Sequence, residues 1–117
     1  MKTVHCILLA TLSATTAVAE DNWPQWRGPA GTGKTNAVAA VTRWGPNTNI
    51  RWRTTLPEAG NSTPSVWGGK VFLTQPLSDV NQRAVICFHR QSGKELWQRG
   101  VTYNENESTH RTNPYCS

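Results

Sequence analysis

Between Ser62 and Trp97 the chain alternates short β-branched or aromatic runs with glycine-bearing turns, and nothing else in it constrains the fold as strongly. Thr63 to Trp67 leads into Gly68-Gly69, a pair able to take positive φ at both central positions of a tight hairpin. Val71 to Gln75 follows, with Val71, Phe72 and Leu73 supplying strand-forming side chains. Pro76 to Arg83 reads as a loop, and Ala84 to Phe88 as a further apolar run. Gln91-Ser92-Gly93 then turns the chain into Glu95 to Gln98. The spacing predicts an all-β fold, a four-stranded antiparallel meander close in size to one propeller blade.

Within the last turn, Gly93 stands where a left-handed residue is needed, and Trp97 returns across the sheet. Burying one Trp removes roughly 150–250 Å² from water, a gross gain of about 4–6 kcal/mol. The segment Val85-Ile86-Cys87-Phe88-His89-Arg90-Gln91-Ser92-Gly93-Lys94-Glu95-Leu96-Trp97 resembles the repeat of pyrroloquinoline-quinone-type (PQQ-like) β-propellers. Ser92, Gly93, Lys94 and Trp97 match that repeat, whereas Cys87 replaces a common Ala and His89 a common Asp. The order of Trp23-Pro24-Gln25-Trp26-Arg27-Gly28-Pro29, Asn49 to Arg53 and the Pro64-Ser65-Val66 strand extends the likeness to secreted propellers of the outer-membrane assembly lipoprotein type. The resemblance implies that Trp97 packs over a neighbouring blade. A single Trp in the hairpin of some other small β-domain would carry the same local motif.

Before this region, Met1 to Ala19 reads as a secretory signal peptide. Lys2 is its positive end, Val4 to Leu12 its apolar stretch, and Ala17-Val18-Ala19 its small-residue cleavage site. The apolar stretch is too short to span a bilayer, and Cys6 lacks the surroundings of a lipid-attachment cysteine. The expected destination is the periplasm or the cell exterior, with no transmembrane anchor after cleavage. Residues 20–48 then form an irregular leader, and 49–117 the propeller-like segment, with a full blade over about 62–100. Asn49 to Thr54 reads as an outer strand, and Val101 to Thr112 as a polar loop. Asn113 to Ser117 reads as the start of the next inner strand. Since propellers close with about 4–8 blades, the chain is expected to be a fragment of a longer propeller, lacking neighbours it was shaped to meet.

The leader contains a motif that points elsewhere. Gly28-Pro29-Ala30-Gly31-Thr32-Gly33-Lys34-Thr35 satisfies the phosphate-cradling pattern GxxxxGK[ST]. That loop functions between a buried strand and a helix N-terminus. Trp23 to Arg27 is a poor buried strand, because Pro24 lacks a donor and Arg27 is charged. Downstream, Gly45-Pro46 leaves room for at most about two helical turns. The match is therefore expected to be coincidental.

Other chemistry is sparse. Lys+Arg number 12 against 7 Asp+Glu, giving a net charge of +5, but no two Lys or Arg residues are adjacent in sequence. Arg51-Trp52-Arg53 would place its arginines opposite its Trp on a strand, so no nucleic-acid partner is expected. Cys87 and His89 share a strand face, but with only His110 and Cys116 as further ligands no zinc spacing is met. Cys87 and Cys116 could pair in an oxidising compartment. Glu105 and Glu107 read as solvated loop charges, and no nucleophile–base arrangement is present. Asn61-Ser62-Thr63 and Asn106-Glu107-Ser108 are glycosylation sequons, relevant only to a eukaryotic secretory pathway.

These readings give no catalytic, cofactor-binding or metal residue and no expected cofactor. The expectation is an exported, non-catalytic scaffold or protein-binding module of the cell envelope, whose partner is another protein or further blades. Two alternatives stay open: a piece of a quinoprotein (PQQ-dependent) dehydrogenase, and a nucleotide binder using Gly28–Thr35.

Overall fold

A computed structural model of the chain describes residues 22–35, 41–105, 108 and 110. The expected signal peptide and the expected inner strand at Asn113 to Ser117 lie outside these residues, as does Cys116.

The meander forms. Strands β1 (Ser65–Trp67), β2 (Lys70–Leu77), β3 (Gln82–His89) and β4 (Glu95–Thr102) make one sheet in the order β1-β2-β3-β4. Every neighbouring pair is antiparallel. No α-helix occurs among the described residues. Of the two hairpin glycines, only Gly68 takes positive φ, at 56°.

Three boundaries differ from the sequence reading. The loop expected at Pro76 to Arg83 shrinks to one 3-10 turn, Ser78–Val80, because β2 continues through Pro76 and Leu77. A proline is tolerated there because β1 pairs with β2 only over Lys70 to Phe72, so at Pro76 the strand has a ladder partner on one side alone. Strand β4 likewise runs on through Val101 and Thr102, pairing them with Arg83 and Gln82, where a loop was expected. The strand expected at Asn49 to Thr54 does not form: this segment joins no ladder and is held by side-chain bonds instead.

Register sorts the side chains into two faces. One face carries the row Ser65–Phe72–Cys87–Trp97. The other carries Leu73–Ile86–Gln98 and Gln75–Ala84–Gly100. A shift in register between Cys87 and Phe88 leaves Leu96 as the extra residue of a β-bulge. The core lies mainly on the second face, where Ala84, Ile86, Phe88 and Gln75 are almost fully enclosed. Covering it is the irregular segment that includes Trp52 and Glu58. The Trp52 ring lies 6.5 Å from that of Phe88. At the other end, Gln75 Nε2 donates to the Glu58 carbonyl at 2.6 Å, which satisfies the one buried polar side chain among the described residues.

Candidate functional site

The turn between β3 and β4 is held both by its own backbone and by a distant tryptophan. Gly93 takes φ 69°, and its amide donates to the His89 carbonyl at 2.8 Å. Trp52, from the segment before the sheet, lies flat against it: a Cβ on Gly93 would fall 2.5 Å from the Trp52 ring. The Trp52 indole N–H donates to the Arg90 carbonyl at 2.8 Å, and Arg51 donates to the Gln91 side chain. Two independent requirements therefore select glycine at this position, the left-handed backbone and the aromatic face against it.

Around that turn, Ser92 Oγ lies 2.9 Å from His89 Nδ1, while Lys94 is exposed. Trp97 is half-buried on its own sheet, its ring 6.0 Å from Phe72 at an interplanar angle of 51°. Between these two aromatic rings sits Cys87, fully buried. Burial pushes the Cys87 thiol up from its ordinary value, with Lys70 pulling weakly the other way. The thiol is thus a small apolar packing group, and His89, on the same face, is exposed at the strand end. Among the described residues no group of His, Cys, Asp or Glu side chains gathers to hold a metal.

The leader is fastened to the opposite edge of the sheet. Trp23 forms an antiparallel bridge with Val66, both backbone bonds measuring 2.8 Å. Asn22 Oδ1 accepts from the Gly68 amide at 2.7 Å. Gly28 is buried beneath Trp23, with φ 77° and no room for a Cβ. Pro24 is half-buried and Pro29 exposed. Trp26 is 71 % exposed, with the Arg27 guanidinium 5.4 Å from its ring centre, so of the two leader tryptophans only Trp23 pins the segment down. Beside Trp26 opens a shallow cleft of about 420 Å³, lined by Phe72, Thr74, Val85 and Ser65.

The GxxxxGK[ST] segment follows directly. Two of its glycine amides are committed to local turns: Gly31 N–H donates to the Gly28 carbonyl at 3.0 Å and Gly33 N–H to the Arg27 carbonyl at 2.8 Å. The strand feeding it is a single antiparallel bridge at Trp23, not a buried parallel strand. A phosphate is held where a buried strand delivers such N–H groups at a helix N-terminus, and the described part of this segment is not fed by a strand of that kind.

Two features escaped the sequence reading. Trp52, whose surroundings read as a strand, is instead the lid of the Gly93 turn, 38 residues from its bonding partner. Glu58, in a loop rich in Pro, Gly and Asn, ties down the β2–β3 turn through the Ser78 amide and hydroxyl. These bonds, with Arg83, hold its carboxyl below the ordinary value of 4.5 against an opposing effect of burial. No protein family, curated protein or solved structure matches this chain.

Proposed function

We propose that this chain is an exported, non-catalytic module of the PQQ-like propeller type, a single blade that serves as a protein-binding or scaffold element of the cell envelope. The observation that carries the reading is the Trp52–Gly93 contact. A tryptophan from outside the sheet is laid on the glycine of the last blade turn, which is how one sheet of a ring would rest on its neighbour. Asn49 to Thr54, unpaired along its backbone, then has the place of an outer strand of an adjacent blade. Trp97, half-buried, is the corresponding side chain this blade would offer onward. Ser92, Lys94 and the leader residues Trp23 to Pro29 complete the motif that suggests the family.

The test is complementation. A PQQ-like propeller with its first blade deleted, co-expressed with this chain in a periplasm, is expected to form a one-to-one complex. That complex should be weakened by Gly93→Ala. Failure of the chain to associate with any such propeller removes the blade reading. The dehydrogenase alternative is addressed separately: supplying PQQ and calcium to a full-length parent of the chain and following dye-linked alcohol oxidation should give no turnover. For the nucleotide alternative, Lys34→Ala should leave ATP retention unchanged, in keeping with a loop whose Gly31 and Gly33 amides already bond within local turns.

A further inference from the structure

The basic residues are dispersed in sequence, but the fold gathers several of them at one end of the sheet. Trp67 pairs with Lys70 across the first hairpin, and Lys70 pairs with His89 across the next two strands. The His89 amide donates to the Lys94 carbonyl at 2.8 Å, so Lys94 continues the same line. One row across the sheet therefore reads Trp67, Lys70, His89, Lys94. Arg90 folds over its end, its amide bonded to the Gly69 carbonyl and its guanidinium 3.4 Å from the Gly68 carbonyl. Arg51 joins the group through Gln91.

Among the described residues, carboxylates are largely excluded from this row. Glu95 pairs with Phe88, one step along the strand and on the opposite face. Glu58 and Asp79 sit at the far end, beside the β2–β3 turn, and Glu105 follows the end of β4 there. Among the described residues no ion pair neutralises Lys70 or Lys94. At the edge of this charged row Trp67 projects with 61 % of its surface exposed, next to a glycine pair that presents no bulk of its own.

We propose that the hairpin end carrying Trp67, Lys70, His89, Arg90 and Lys94 docks on the surface of an anionic lipid bilayer. An indole settles at headgroup depth, its ring in the apolar boundary and its N–H among polar groups. Lysine and arginine around it gain from the negative surface potential, each by about fivefold in affinity. Single-stranded nucleic acid would instead call for successive aromatic platforms along a basic groove, and this row has one ring at its margin. The inference uses only the sheet and does not rest on the propeller reading.

Binding of the full chain to sedimented vesicles tests it, with phosphatidylcholine alone compared with a phosphatidylcholine–phosphatidylglycerol mixture. Any contribution of Met1 to Ala19, the positive Lys2 included, is common to all variants and cancels in the comparison between them. The wild-type chain is expected to prefer the anionic vesicles, and to lose that preference in high salt. The double change Lys70→Ala with Lys94→Ala should weaken anionic binding by about 25-fold, the product of two such charges, while Lys70→Arg with Lys94→Arg retains it. Trp67→Ser should weaken binding severalfold with the salt dependence intact. Each altered side chain is exposed, so near-identical circular dichroism spectra are expected. Equal binding to neutral and anionic vesicles overturns the proposal, as does undiminished binding by the Lys70/Lys94 alanine variant. So does a Trp67→Ser chain that binds as wild type, since a purely ionic surface would then account for the preference.

Discussion

At Gly93 the backbone and the neighbouring ring both reject a side chain, and the two costs add. A non-glycine residue at left-handed φ costs about 1–2 kcal/mol, and pushing Trp52 aside adds about 1–3 kcal/mol of overpacking. Gly93→Ala is thus expected to destabilise the fold by about 2–5 kcal/mol, read as a lowered midpoint in urea denaturation followed by circular dichroism. Gly69 supplies the internal control, for it has open space around it and no positive φ. Gly69→Ala should change stability by less than about 0.5 kcal/mol; if the two substitutions cost the same, the Trp52 contact is not what selects glycine at 93. Cys87 belongs to the same scale. Enclosed between Phe72 and Trp97, with its thiol pushed up by burial, it should react with a thiol reagent at neutral pH only after denaturant opens the sheet. Rapid modification of this thiol in the folded protein would contradict that enclosure.

At the scale of elements, the strands were readable in the sequence because they rest on local signals. The strand-forming run Val71, Phe72 and Leu73, the Gly68 turn and the Gly93 turn each act over a few residues, and the meander follows from them. What the sequence left out depends on contacts between distant segments. Pro76 looks like a strand terminator until β1 is seen to stop short of it, which leaves a side where no donor is needed. Asn49 to Thr54 has the alternation of a strand, but no described strand lies alongside it, and Trp52 and Arg51 anchor it through side chains. Glu58 gave no signal beyond its composition, although it fastens the loop over the core to Ser78. That latch makes a pH prediction whose sign follows from the direction of its shift. The folded carboxyl titrates below its unfolded value of 4.5, so its contribution is complete above that value and is lost as pH falls through the lower, folded one. Glu58→Gln should cost about 1 kcal/mol at neutral pH, a modest figure because the site is partly solvated. The wild-type advantage over the variant should shrink on acidification below about pH 4. An advantage that held constant into strong acid would mean that the charge of Glu58 does not matter.

For the molecule as a whole, the decisive property is that the sheet is open. Its two edges are treated differently. On the β1 side the strand has three residues, and Trp23 bridges Val66 from outside, so little unpaired backbone is presented there. On the other side β4 runs for eight residues with no proline, and no described strand lies beyond it. Leu96 is 44 % and Val101 68 % exposed along it. A strand of that length with apolar side chains and a free ladder is a template for another strand, whether from a further blade or from a second copy. In solution, where only copies are present, the chain is expected to associate through β4 in a concentration-dependent way. Antiparallel pairing about a two-fold axis would use each Val101 once per copy. Val101→Lys places a charge on both partners' edges, at about 0.2–1 kcal/mol for each unfavourable cross-strand contact, which amounts to about a tenfold weaker association for the pair. Sedimentation equilibrium over a range of concentrations measures this directly. Trp67→Ser, at the opposite edge of the sheet, should leave the association constant unchanged. A chain that stays monomeric at every concentration, or a Val101→Lys variant that associates like the wild type, would show that β4 is not the adhesive edge.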